Sequence, residues 1–335
     1  MRTINLSWDV THLTPFISKV DLCGSLFLPD KFGDHVPETL TLVVCLHGGS
    51  CSRSYFHPPY LDPSYSFAEF MTDRGYLVLA LDNLGMGESS RPEPESKLTL
   101  NVIAEANHLA TQQCVQALMS NQWGTLAEST SLTVAGLGHS MGGMLITYQQ
   151  AHYKSFDQLI VAGWSNLPLE LAGANIDEMK AALSSGGYIP TDRTQMRALF
   201  HLPNVPDAIV TTDDQHSSLT PVTLATAALT SNVVVASANN TLCPVLLVYG
   251  EVDVSPAPDQ ELGFFPNSSQ TALTLVADSA HMHNFANART NVWQGIDQWI
   301  QKNQARALRH KNDLSNATRS LGAPDIAEAE HKDSI

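Results

Sequence analysis

The chain has 335 residues, 43% hydrophobic and only 15% charged, with 18 basic against 33 acidic residues and a net charge of −15 at pH 7. That length suits a single α/β domain, and so acidic a chain excludes nucleic acid and anionic membrane surfaces as main partners, because both attract clustered Lys and Arg. No run approaches the ~20 apolar residues of a membrane span, and Met1–Asp9 lacks the apolar stretch of a secretory leader.

The five cysteines, Cys23, Cys45, Cys51, Cys114 and Cys243, are widely spaced and odd in number. They form neither a CxxC or Cys/His metal pattern nor a disulfide framework. A reduced, cytoplasmic setting without a metal is expected.

Residues 18–28 read as an early strand closed by Pro29-Asp30. Leu40–Leu46 is a continuous, partly β-branched apolar run, as expected of a strand buried on both faces, and it stops at His47-Gly48-Gly49-Ser50. A helix is predicted at 64–74, then a second buried strand at Tyr76–Leu81, ending in Asp82-Asn83-Leu84-Gly85-Met86-Gly87-Glu88-Ser89. A long helix at about 98–119 leads to a third strand, Leu132–Leu137, and a helix at 141–153 to a fourth, Gln158–Ala162. Val245–Tyr249 and Ala272–Val276 are the fifth and sixth, before a final helix at about 289–301. Buried strands alternating with helices predict an α/β fold: a mostly parallel central sheet flanked by helices.

Two regions break the alternation. Residues 166–240 hold no clear buried strand, and a bare loop of that length is rare, so a mainly helical lid insertion is expected there. The core is then 1–165 with 241–301. The tail, 302–335, has about twice the charge density of the whole chain and no aromatic residue. Part of it can continue the last helix, and the remainder is expected to be mobile.

The sharpest chemical signal is Gly138-His139-Ser140-Met141-Gly142-Gly143, a G-x-S-x-G sequence between a buried strand and a helix. A hydroxyl at the apex of such a turn needs strained backbone angles and small residues on either side. The helix that follows aims its N-terminal N–H groups where negative charge develops. His47-Gly48-Gly49-Ser50 is the natural companion, because a tetrahedral oxyanion needs two donors already in place. The Met141 amide would be one; the other would come from the Gly48–Ser50 turn, with Gly49 favoured and Gly48 the alternative.

With these motifs the chain resembles the α/β-hydrolase superfamily over roughly residues 19–301, and Asp82–Ser89 looks like its D-x-x-G-x-G-x-S stretch. The resemblance implies a catalytic triad in the order nucleophile, acid, histidine. Ser140 would be the nucleophile. The acid matches at Tyr249-Gly250-Glu251-Val252-Asp253-Val254-Ser255-Pro256, with Asp253 in place and Glu251 as local rival. The stretch after the preceding strand, Ala162–Asn166, offers no carboxylate. The histidine falls in Ser279-Ala280-His281-Met282-His283, where Ala280-His281 fits the family pattern and His283 is the alternative. In an extended loop the two rings would project to opposite sides, leaving His283 to shape the pocket.

Tyr55, Met144, Trp164 and His283 are the expected substrate-binding residues; for Tyr55, Phe56, Tyr60, Met144, Trp164, Phe264 and Phe265, ordinary packing is the competing reading. Cys51 lies beside the oxyanion turn but has no elbow, and Asp82 reads as structural. A serine at the elbow disfavours the superfamily's aspartate-dependent dehalogenases and epoxide hydrolases. The insertion carries 3 basic against 7 acidic residues, poor company for an anionic substrate. The expected activity is therefore cleavage of a neutral, rather apolar ester or lactone through an acyl-enzyme, with no cofactor. An acyltransferase, a C–C bond hydrolase and a ligand receptor that keeps the fold are the alternatives. A small molecule is the expected partner, and a homo-oligomer stays open.

Overall fold

The structure is a computed structural model that describes residues 1–33, 38–127, 129–169 and 176–320. The first part of the chain runs β1 (Arg2–Asp9), β2 (Asp21–Leu28), β3 (Thr39–Leu46), α1 (Phe67–Thr72), β4 (Leu77–Leu81), α2 (Leu100–Met119), β5 (Ser131–His139), α3 (Met141–Tyr153) and β6 (Gln158–Ala162). An insertion follows: α4 (Ile176–Ala182), β7 (Tyr188–Ile189), α5 (Arg197–Phe200), α6 (Asp207–Gln215), β8 (Thr220–Pro221), α7 (Val222–Ala228) and α8 (Val235–Asn239). The chain then returns through β9 (Val245–Val252), α9 (Pro258–Glu261), β10 (Thr271–Ala280) and α10 (Arg289–Ser320).

Eight strands form one sheet in the order β1-β2-β4-β3-β5-β6-β9-β10. Only the β1/β2 and β2/β4 pairs are antiparallel; β4 through β10 run parallel. The alternation of a strand's side chains shows why these runs are apolar throughout. Leu42, Val44 and Leu46 of β3 pack on one side with Ile103, Ala106, Ala110 and Leu145. Val43 and Cys45 point the other way, into a layer with Phe67, Met71, Trp293 and Ile296. Helices cover both faces, so neither can afford polar side chains. This is the α/β-hydrolase fold.

Two features differ from the sequence reading. β1 was not expected, yet Ile4, Leu6 and Trp8 alternate with polar residues, and Trp8 is buried. That period of two marks a half-exposed edge strand. The last helix, placed at about 289–301 with part of the tail able to continue it, runs to Ser320. Lys302 to Leu308 is rich in good helix formers, and the first strong stop signals, Gly322 and Pro324, come later. Of the tail expected to be mobile, 321–335 lies outside the described residues. No helix among the described residues is long and apolar enough to cross a membrane. Among the described residues the regular structure of the insertion is a set of short helices and the two-residue antiparallel ribbon of β7 and β8.

The parallel strands end on one edge, and their carboxyl termini carry the loops that matter. The turn between β5 and α3 is held by extreme closeness. A Cβ on Gly142 would sit 2.1 Å from the Leu46 carbonyl oxygen, and one on Gly138 2.2 Å from the Gly142 carbonyl oxygen. Only glycine allows the end of β3, the turn and α3 to meet there. We expect Gly142→Ala to destabilise the protein by about 1–3 kcal/mol, as overpacking of a tight contact does. Urea unfolding checks it: the midpoint should fall with the slope unchanged.

Candidate active site

Ser140 occupies the apex of this turn at φ 55°, ψ −123°, a conformation that L-residues rarely adopt. Its amide donates to the Ala162 carbonyl at the end of β6 (2.7 Å). The strained backbone thereby lifts the hydroxyl clear of the sheet edge. Ser140 Oγ lies 2.9 Å from His281 Nε2, and His281 Nδ1 lies 2.6 Å from Asp253 Oδ1. With the imidazole proton on Nδ1, it donates to the carboxylate, while Nε2 accepts from the hydroxyl. Serine, histidine and aspartate thus form one chain, contributed by the ends of β5, β10 and β9.

Asp253 accepts four hydrogen bonds. Oδ1 also accepts from the Val254 amide (2.8 Å), and Oδ2 from the Gly250 amide (2.9 Å) and His283 Nε2 (2.8 Å). Burial opposes its charge, but the His281 and His283 imidazoles outweigh that penalty and hold the carboxyl well below the usual carboxylate range. Glu251, the rival acid, is exposed and accepts from the Asp278 amide instead (3.0 Å).

His283 is not where the extended-loop argument put it. Met282 adopts φ −80°, ψ 68°, which is not extended backbone, and the chain enters a short 3-10 turn at His283. Both rings consequently converge on Asp253, and His283 is 2% exposed rather than a pocket wall. Two more expected wall residues are elsewhere. Met144 points from α3 into the core and is fully buried. Tyr55 stacks on His139 at 4.5 Å, accepts from the Asn284 amide (3.2 Å) and braces the loop after β10. Trp164 does line the cavity. Phe56 and Phe265 are core residues, and Phe264 packs against the core.

The cavity above Ser140 has a volume of about 390 Å³. Gly48, Gly49, Ser140, Met141 and His281 form its floor, and Leu183, Ile189, Met196, Phe200 and Leu229 of the insertion contribute to its apolar wall. Among the described residues, no Lys or Arg lines it. Its acidic lining residue, Asp192, is exposed and bonded to Thr194 and Gln195. The amides of Gly48, Gly49 and Met141 have no hydrogen-bond partner among the described residues.

Three supporting residues escaped the sequence reading. His139 looked like the variable position of G-x-S-x-G, but its Nε2 donates to the His281 carbonyl (2.7 Å). Burial, with His281 and His283 alongside, keeps its pKa well below the usual histidine range, so it is a neutral strut. Glu261 is buried and accepts from Ser165 Oγ (2.5 Å), the Asn166 amide (3.0 Å) and Ser255 Oγ (2.9 Å), joining the loop after β6 to the acid loop. Arg193, in the insertion, is 6% exposed and reaches the Gly48–Ser50 turn. No local motif announces either of the last two. Asp82 is structural, as read: it accepts from the Arg53 amide and side chain and from the Glu88 amide.

A sequence model of the alpha/beta hydrolase family matches residues 43–292. No curated protein matches the chain. Among solved structures, an esterase from Exiguobacterium antarcticum aligns with a TM-score of 0.61 at 15% identity, covering 86% of this chain and 98% of that one. A thermophilic esterase from Thermogutta terrifontis aligns at 0.59 and 15% identity, covering 90% and 99%. A bromoperoxidase from Bacillus anthracis aligns at 0.59 and 17%, covering 89% and 99%. Such low identities speak of the fold alone, but the family match spans most of the chain and every strand end that carries the site. The chain belongs to the alpha/beta hydrolase family.

Proposed function

We propose that this protein is a serine hydrolase that cleaves a neutral, rather apolar carboxylic ester or lactone through an acyl-enzyme. The observation that carries the reading is the hydrogen-bond chain Ser140–His281–Asp253 opening on an apolar cavity that no Lys or Arg lines among the described residues. Ser140 is the nucleophile, His281 the base, and Asp253 the group that fixes the imidazole tautomer.

In the first half-reaction the Ser140 proton passes to His281 Nε2 as Oγ bonds the acyl carbon. The carbonyl π pair moves onto oxygen, where the Gly49 and Met141 amides receive it. Collapse breaks the ester C–O bond, and the leaving alkoxide takes the proton from Nε2. Water then repeats the sequence: its proton goes to His281, its oxygen bonds the acyl carbon, and collapse returns the proton to Ser140 with release of the acid. Asp253 stays ionised throughout and stabilises the transient imidazolium. The insertion serves as a lid, its apolar wall receiving the acyl or alcohol chain.

Activity is tested on p-nitrophenyl esters and lactones of increasing size, with and without a competing alcohol. Transfer to the alcohol in excess of hydrolysis would replace the hydrolase with a transferase. Ser140→Ala should lower kcat by about 10⁶-fold with the fold intact. A serine-directed phosphonate should label Ser140 in the native protein, as mass spectrometry of its peptides would record.

Cys51 should stay inert in the same experiment. Burial pushes its thiol up to about 12, despite the opposing charge of Arg193. At pH 8 iodoacetamide should therefore modify it on the order of a thousandfold more slowly than an ordinary free thiol. Unfolding should abolish the difference.

The two histidines separate by their chemistry. Loss of His281 as alanine should remove the acyl-enzyme burst. His283→Leu should lower kcat by about 10- to 100-fold, the value of one hydrogen bond to a charged group, with KM little changed. His283→Gln, which can again donate to Asp253 Oδ2, should recover most of the loss. A normal burst in His281→Ala would transfer the base to His283.

A further inference from the structure

A Cβ built at Gly49 would meet nothing within 4 Å, so the residue faces open space on that side, and its amide has no hydrogen-bond partner among the described residues. Its chain neighbour Ser50, by contrast, is tied down. Ser50 is buried, 1% exposed, and lies at φ 56°. A non-glycine residue in that region costs about 1–2 kcal/mol and persists only where its surroundings hold it.

Those surroundings come from the insertion. The Ser50 amide donates to Thr220 Oγ1 (2.9 Å). Its carbonyl accepts from the Ser218 amide (2.8 Å) and from Arg193 Nη2 (3.3 Å). Its hydroxyl accepts from Arg193 Nε (3.0 Å). Every polar group of Ser50 is thus bound by a residue between β6 and β9. Arg193 is itself held, with Nη1 2.5 Å from Asp213 Oδ2 and 3.3 Å from Asp214 Oδ1. Its guanidinium is not part of the cavity wall, and its donors point at the turn and at the two carboxylates rather than at a substrate.

We propose that Arg193 is a positioning residue that acts through Ser50 to aim the Gly49 amide, so that the oxyanion site is complete only while the insertion is seated on the core. The proposal rests on the reading of Gly49 and Met141 given under Proposed function. It gives the insertion a second task beyond walling the cavity. A bidentate fork is needed because the hydroxyl, the carbonyl and Asp213 lie in different directions. A lysine could keep the ion pair but not both contacts to Ser50.

The test uses Arg193→Lys, which keeps the charge beside Asp213, and Ser50→Ala, which removes the hydroxyl bonded to Nε while leaving the ion pair untouched. In Arg193→Lys, kcat should fall up to about 10²-fold with KM within about twofold, because one donor to the developing oxyanion is lost or misdirected. The inhibition constant of an alkyl boronic acid, whose adduct on Ser140 places an oxygen at the same point, should rise by a similar factor. Ser50→Ala should show the same split to a smaller degree. Hydrogen exchange of the peptide spanning residues 47–52 should quicken in both variants. Unchanged exchange and kcat in folded Arg193→Lys overturn the proposal. So does a loss of thermal stability with boronate affinity unchanged, which would make Arg193 a staple only. Absence of turnover and of Ser140 labelling in the wild-type protein would instead strike the hydrolase reading, and the exchange measurement still decides whether Arg193 clamps the turn.

Discussion

Removing a carboxylate from water costs several kcal/mol unless donors replace the solvent. Asp253 meets that demand with four hydrogen bonds: two amides of its own loop and two imidazoles from the segment after β10. The requirement organises the whole strand edge. It draws β9 and β10 together at their ends, bends the chain at Met282, and sets the plane of His281. His139 then holds the His281 carbonyl from the turn that carries Ser140, so His281 is held from both sides. A neutral residue at 253 would release the two histidines from each other.

The turn that carries Ser140 complements this electrostatic anchor with a steric one. Where Asp253 gathers polar groups, Gly138 and Gly142 permit backbones to approach without side chains between them. The end of β3, with the Gly48-Gly49 turn, is brought against the amino end of α3 by that approach. Gly48, Gly49 and Met141, whose amides have no hydrogen-bond partner among the described residues, therefore line one cavity from two different segments. Their placement is fixed in folding, the condition under which donors can stabilise charge without rearrangement.

The core strands were legible because both faces of a parallel sheet are covered, so each strand writes itself as an unbroken apolar run between turn residues. The turns that carry Ser140, Gly49 and Asp253 were legible because strand-to-loop junctions with glycine leave local marks. β1 was passed over although Ile4, Leu6 and Trp8 alternate in plain view; an edge strand shows half the apolar signal of a buried one. The second imidazole on Asp253 was misread because an extended loop was assumed where the backbone turns at Met282. Glu261 and Arg193 left no readable trace at all. A buried ion or carboxylate takes its meaning from partners distant in the chain, and Arg193 meets Ser50 across 143 positions. Spacing along one segment cannot report such a meeting.

The insertion leaves the core after β6 and re-enters at β9, and these strands are hydrogen-bonded neighbours in the sheet. Its two points of attachment are therefore side by side, so the intervening segment can change in length or be exchanged without altering the register of any strand. In this chain the exchange is not free. A replacement must still present a fork to the Ser50 hydroxyl and carbonyl, and an acceptor to its amide, or the frame it inherits would be one donor short. On the proposed reading, substrate range and transition-state geometry are thereby linked in heredity as well as in space.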